Sequence, residues 1–137
     1  MFSIYTDGST RPTNPGQMGA GIVIYASNVT KPIMELSIPL GHGTNNQAEM
    51  LAIYIALTHT VELPSITTTI YTDSKYCWGL LTQGWNAKTN KDLVEKTRAL
   101  LATKTNIFIK HIRGHQGIEG NEIADKLAYT ACIHDLS

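Results

Sequence analysis

Apolar and polar residues alternate at the start of the chain. Phe2 and Ile4 are separated by polar partners up to Asp7-Gly8, the period of a half-buried strand. Gly19-Ala-Gly-Ile-Val-Ile-Tyr25 and the run from Ile33 to Leu40 predict two further strands, and the short turns between the three predict an antiparallel meander. From Asn45 the period changes: Met50, Leu51, Tyr54, Ile55 and Leu57 fall at helical spacing, with Thr44 or Asn45 placed to cap and Pro64 bounding the far end. A β-branched run, Ile66 to Thr72, predicts a strand. A helix follows Asp73, another spans about Lys91 to Thr103, a strand spans Ile107 to Ile112, and a last helix starts near Glu119. Strands joined through helices make an α/β domain.

Composition narrows the setting. At 137 residues the chain has the length of one domain, 1–137, and no linker or repeat divides it. Apolar residues make up 42% and charged residues 16%, which excludes a disordered, charge-driven segment. Cys77 and Cys132 are too few for a disulfide framework and lack zinc-site spacing, so a reducing compartment fits. No apolar run approaches the ~18 residues of a membrane span, and the N-terminus lacks the pattern of a signal peptide. A soluble, cytoplasmic, monomeric protein is expected, with no membrane partner and no further domain before Met1.

The formal net charge is zero, which alone argues against a nucleic-acid partner. Its distribution argues the other way. Between Lys75 and Arg113 lie eight basic residues (Lys75, Lys88, Lys91, Lys96, Arg98, Lys104, Lys110 and Arg113) and two acidic ones, Asp92 and Glu95, a local +6 against −6 elsewhere. Such segregation suits a basic platform beside an acidic site.

Two predicted strands end alike, in Tyr5-Thr6-Asp7-Gly8 and Tyr71-Thr72-Asp73-Ser74. Each places an aspartate just beyond the carboxyl end of a strand, where open α/β sheets gather ligands. Asp-Gly is also ordinary turn chemistry, and an Asp before a helix is an ordinary cap. Glu49 reads by itself as a solvated first-turn acid, and Asp125 as a surface charge sharing a helix face with Asn121. Together with their surroundings they say more. Thr-Asp-Gly-Ser near the start, Thr44-Asn-Asn-Gln-Ala-Glu49 opening a helix, Thr72-Asp-Ser74 after a strand, and Gly114-His-Gln-Gly-Ile-Glu-Gly-Asn-Glu-Ile-Ala-Asp125 at the end resemble type 1 ribonuclease H in order, spacing and flanking residues.

The resemblance implies a ribonuclease H-like fold: a five-stranded mixed sheet, its first three strands antiparallel, flanked by helices. It also implies an endonuclease that hydrolyses the RNA strand of RNA/DNA hybrids to 5′-phosphate and 3′-hydroxyl ends. Phosphodiester hydrolysis needs an activated water, a neutralised phosphate and a stabilised leaving oxygen, which two Mg²⁺ ions ~3.5–4 Å apart can supply. Carboxylates without Cys or His suit Mg²⁺, with Mn²⁺ as a substitute. Asp7, Glu49, Asp73 and Asp125 are the implied catalytic ligands, with Asp7 bridging both ions. At least one of them should have a raised pKa in the metal-free protein.

His115, in a glycine-flanked stretch, matches the family's histidine that assists proton transfer or product departure. His42, His59, His111 and His134 match no functional position, and Glu122 fits either a group behind the ligands or a helix-surface acid. Asn14, Asn45 and Asn46 resemble the family's contacts to the hybrid, and amides both donate and accept, as a 2′-hydroxyl requires. Thr44 resembles a phosphate contact on the DNA strand. Asn121 joins these as a substrate-binding candidate. Of two tryptophans in the basic segment, Trp85 is the better plate for a sugar or base, since Trp78 falls at helix spacing with Leu81. Many members carry an extra helix and a lysine-rich protrusion here, but only Gly84 to Asn90 joins the two helices in this chain. That handle is expected to be absent, and affinity weak. The neighbouring alternatives are a reverse transcriptase's ribonuclease H domain, an inactive hybrid-binding module, and a resolvase or transposase core.

Overall fold

The computed structural model describes residues 1–60, 65–114 and 116–136, with side chains through 133. Its elements follow the order β1 (Phe2–Arg11), β2 (Gly16–Ala26), β3 (Met34–Gly43), α1 (Asn45–Thr58), β4 (Thr68–Thr72), α2 (Lys75–Thr82), α3 (Lys91–Ala102), β5 (Ile107–His111) and α4 (Glu119–Leu136). The five strands form one sheet in the order β3-β2-β1-β4-β5. The meander β1-β2-β3 is antiparallel, and β4 and β5 add in parallel to β1. This is the mixed sheet that the sequence implied. No helix among the described residues is long and apolar enough to cross a membrane.

The first two strands run longer than the alternation predicts. Beyond Asp7, β1 continues through Gly8, Ser9 and Thr10 because β2 still pairs with it, down to Arg11 opposite Gln17. The third strand likewise passes Leu40 to Gly43. Helix α1 ends at Thr58, ahead of Pro64, which lies outside the described residues.

One face of the sheet meets α1 and α2, and α3 packs against both of these helices. Ile4, Ile22, Ile24, Ile70, Ile107 and Ile109 from the strands bury against Met50, Ile53 and Leu57 of α1, Leu80 of α2 and Val94 of α3. Helix α4 lies on the other face, over β1, β2 and β3. Two glycines let it approach: a methyl group on Gly21 would lie 2.0 Å from the Ala124 carbonyl oxygen, and one on Gly19 would lie 2.3 Å from that of Ala128. Helix backbone rests directly on strand backbone there. The Ser37 hydroxyl of β3 then donates to the Leu127 carbonyl at 2.7 Å, which fixes α4 along the sheet.

Candidate active site

The parallel pairing of β1 with β4 stops at Thr6 opposite Thr72, while its antiparallel pairing with β2 continues through Asp7 opposite Gly21. Asp7 is therefore inside β1, not beyond its end as the sequence suggested. Asp73 does follow the last residue of β4. Both aspartates stand one step past the same pair of residues, on the edge where the parallel sheet opens.

Glu49 reaches them from α1. A Cβ on Gly8 would sit 2.3 Å from Ala48 C and Glu49 N, so the absence of a side chain there lets α1 press onto β1. The Gly8 N–H donates to Glu49 Oε1 at 2.5 Å. Glu49 lies in the second turn and is only 7% exposed, which corrects its reading as a solvated first-turn acid. One carboxylate oxygen from each of Asp7, Glu49 and Asp73 lies within 4.8 Å of the others. Asp125 stands beside this triad: it is exposed on α4, and its side chain helps to raise the pKa of the Asp7 carboxyl. With Asp73, Asn121, Glu122 and Lys126 it lines a cavity of about 310 Å³. Asn121 is 4% exposed and reaches that cavity as one of its lining residues.

The start of α1 gathers the predicted sugar and phosphate contacts. Of the two capping candidates, Thr44 is the cap: its Oγ1 accepts from the Gln47 N–H at 3.2 Å. Asn45 is the first helical residue, and its N–H donates to Asn14 Oδ1 at 2.9 Å. Asn46 is exposed. Trp85 is 42% exposed and packs over Gly79 of α2, where its ring atoms occupy the place of a Cβ. Trp78 meets Trp85 edge to face, with centroids 6.2 Å apart. Arg98 donates to the carbonyls of Leu80 and Trp85, tying α3 to α2, and the Lys96 ammonium sits over the Tyr54 ring. These two cations of the basic segment thus have structural partners. His115 lies outside the described residues, as do the side chain of His134 and Ser137. The residues the sequence reading missed are Gly8 and Gly114; a Cβ on Gly114 would meet Asp73 Oδ2 at 2.9 Å. The Asp7-Gly8 pair was the available signal, but it read as a turn.

Burial drives the electrostatics. Asp7 is pushed up to about 11, first by desolvation, then by the charges of Glu49 and Asp73 and by hydrogen bonds with Asp125 and Glu49. Glu49 rises to about 8 through burial and the charge of Asp73, against the lowering effect of the Gly8 N–H. The folded, metal-free protein therefore holds protons that the unfolded chain releases near pH 4. Stability should be full below that pH and fall as pH rises through the folded values, because the native state binds more protons in this window. Scanning calorimetry in chelator should show Tm declining between pH 5 and pH 9, and Asp7→Asn should flatten that decline. An equal slope in the variant would contradict the assignment.

A five-stranded mixed sheet with helices on both faces and a carboxylate triad where β1 and β4 part defines the ribonuclease H-like class. Solved structures agree. LC11-RNase H1, isolated from compost, superposes with a TM-score of 0.84 at 29% identity, covering 99% of this chain and 98% of that one. The N-terminal RNase H domain of rv2228c from Mycobacterium tuberculosis gives 0.83 at 26% identity, covering 98% and 95%. The chain belongs to the ribonuclease H family, whose model matches residues 1–133, and is an RNA–DNA hybrid ribonuclease. The Ribonuclease H of Trichodesmium erythraeum (strain IMS101) is 38% identical over 144 residues, covering 95% of this chain and 87% of that protein. The Ribonuclease HI of Synechocystis sp. is 33% identical over 143 residues, covering 94% and 86%. A structure of LC11-RNase H1 in complex with RNA/DNA hybrid superposes at 0.81, with 27% identity and full coverage of both chains.

Proposed function

We propose that this chain cuts the RNA strand of RNA/DNA hybrids by two-metal-ion hydrolysis, leaving 5′-phosphate and 3′-hydroxyl ends. The observation that carries the reading is the Asp7–Glu49–Asp73 triad. Its donors are all carboxylate oxygens, two of the three residues are buried, and their charges repel until a cation joins them. That set fits Mg²⁺, with Mn²⁺ as a substitute. Asp7, Glu49 and Asp73 would hold the ions, with Asp125 contributing from α4. When bound, the ion pair supplies activation of the water, neutralisation of the phosphate and stabilisation of the departing oxygen.

The protein's own groups place the strand. Asn14 accepts from the Asn45 N–H through Oδ1, which orients its NH₂ group as a donor. With the side chains of Asn45 and Asn46 it offers the paired donors and acceptors that distinguish a 2′-hydroxyl from a hydrogen. The Thr44 Oγ1 accepts from Gln47, leaving its own proton to donate to a phosphate beside the helix N-terminus. Trp85, Lys75, Lys88 and Lys91 form a narrow platform for the DNA strand. His115 assists proton transfer or product departure, so His115→Ala should slow turnover far less than loss of a carboxylate; equal loss in a single-turnover assay would refute that role.

Labelled RNA/DNA, RNA/RNA and DNA/DNA duplexes, each with Mg²⁺, Mn²⁺ or chelator, test the reading. Only the hybrid should be cut, and only with metal. Comparable rates on hybrid and DNA duplex would overturn it. Lys88→Ala with Lys91→Ala should raise KM several-fold with little change in kcat, because phosphate contacts remote from the reacting atoms bind ground and transition states alike. The slope of log affinity against log salt should also shrink by ~0.9 for each phosphate left without its lysine. An unchanged KM would remove these lysines from the platform.

A further inference from the structure

A second cleft opens at the same end of the sheet, on the side of the triad away from α4. It lies between α2 and the edge strand β5, has a volume of about 700 Å³, and is lined by Lys75, Trp78, Ile109, Lys110, His111 and Arg113. Its charged lining residues are all cationic. Lys75, Lys110, His111 and Arg113 are exposed, and Trp78 is half-buried with its ring centroid 6.0 Å from that of His111. Strand β5 pairs only with β4 among the described residues, so its outer backbone groups face this side unpaired with sheet.

The cleft adjoins the triad. Lys75 follows Asp73 by two residues at the start of α2, and Arg113 precedes Gly114, whose Cα backs onto the Asp73 carboxylate. Moving along this edge of the sheet one meets the asparagines at the start of α1, then the carboxylates, then the cationic cleft. A strand laid over the first two groups continues into the third.

We propose that this cleft holds a single-stranded RNA tail that extends beyond the hybrid, which rests on the hybrid-cleaving function proposed above. Lys110 and Arg113 match phosphates, and the half-buried Trp78 indole beside the His111 ring matches an unstacked base. A duplex offers the phosphates but keeps its bases stacked inside, out of reach of a ring set below the rim. The pairing of cations with aromatic plates therefore favours a single strand over a second duplex.

The test compares binding of a blunt hybrid with hybrids of the same length bearing a 5′ or a 3′ single-stranded RNA tail, by fluorescence anisotropy in chelator. One stacked base and two phosphate contacts should tighten binding by roughly tenfold for one tail polarity. Lys110→Ala with Arg113→Ala should abolish that gain and leave the blunt hybrid's Kd within about twofold, since both residues are exposed and outside the platform. In Trp85→Phe protein, Trp78 is the remaining tryptophan, and its fluorescence should be quenched by the tailed hybrid and not by the blunt one. Equal Kd values for blunt and tailed hybrids, or the same weakening of both in the double variant, would overturn the proposal. Failure to cut the blunt hybrid would instead count against the hydrolytic function, because the tail effect is read by binding alone.

Discussion

Asp7→Asn protein should cut hybrid about a thousandfold more slowly than wild type, or worse, while keeping its fold and its affinity for hybrid. The change removes one oxygen ligand and its charge but keeps the volume of the side chain. Metal-assisted stabilisation of a phosphoryl transition state is worth several kcal/mol, and each 1.36 kcal/mol is tenfold in rate. Stability should not suffer. Asp7 is buried among Glu49, Asp73 and Asp125, where a neutral side chain is easier to hold than a carboxylate. Single-turnover cleavage, with Tm measured in chelator, checks both halves. Retention of more than a tenth of wild-type turnover would end the assignment of Asp7 as a metal ligand.

Gly8→Ala should damage the protein at two levels. The added methyl would stand 2.3 Å from the backbone of Ala48 and Glu49, and backbone cannot swing aside as a long side chain can. Helix α1 must move off β1, opening the contact that Ala48, Met50, Ala52 and Ile53 bury. Overpacking of this kind costs typically 1–3 kcal/mol or more. The same displacement breaks the Gly8-to-Glu49 hydrogen bond and carries Glu49 away from Asp7 and Asp73. Chemical denaturation should show the lower stability, and cleavage below the unfolding transition should fall at least a hundredfold, since a misplacement of about 1 Å is enough for that. Wild-type stability in Gly8→Ala would mean that α1 does not rest on β1 as described.

The order of strands and helices was legible because each element carries its own period, 2 for the strands and 3.6 for the helices. The continuation of β1 was not. Gly8, Ser9 and Thr10 show no apolar alternation, and they are strand because β2 pairs with them and α1 covers them, with Gly8 and Thr10 both buried. Asp7 thus read as the end of a strand when only the parallel half of its pairing ends there. The burial of Glu49 was hidden for a related reason. It depends on a contact between two segments 41 residues apart, and that contact exists because one residue lacks a side chain. The four acids were recognisable from the wording around them; that three meet within 4.8 Å while Asp125 stands alongside on an exposed helix face is tertiary geometry. The choice between Thr44 and Asn45 as cap was open in sequence, since both are good caps. It is resolved by the Thr44 Oγ1, which accepts the Gln47 N–H and leaves Asn45 as the first helical residue.

Identifying the new ends formed when a hybrid with a 5′-labelled RNA strand is cut, in Mg²⁺ and in chelator, tests the central claim most directly. Hydrolysis by water at the triad predicts fragments ending in 3′-hydroxyl and 5′-phosphate, formed with Mg²⁺ and absent in chelator. Cleavage that persists in chelator, or fragments ending in a 2′,3′-cyclic phosphate, would contradict it, because attack would then come from the RNA's own 2′-hydroxyl without need of Asp7, Glu49 and Asp73.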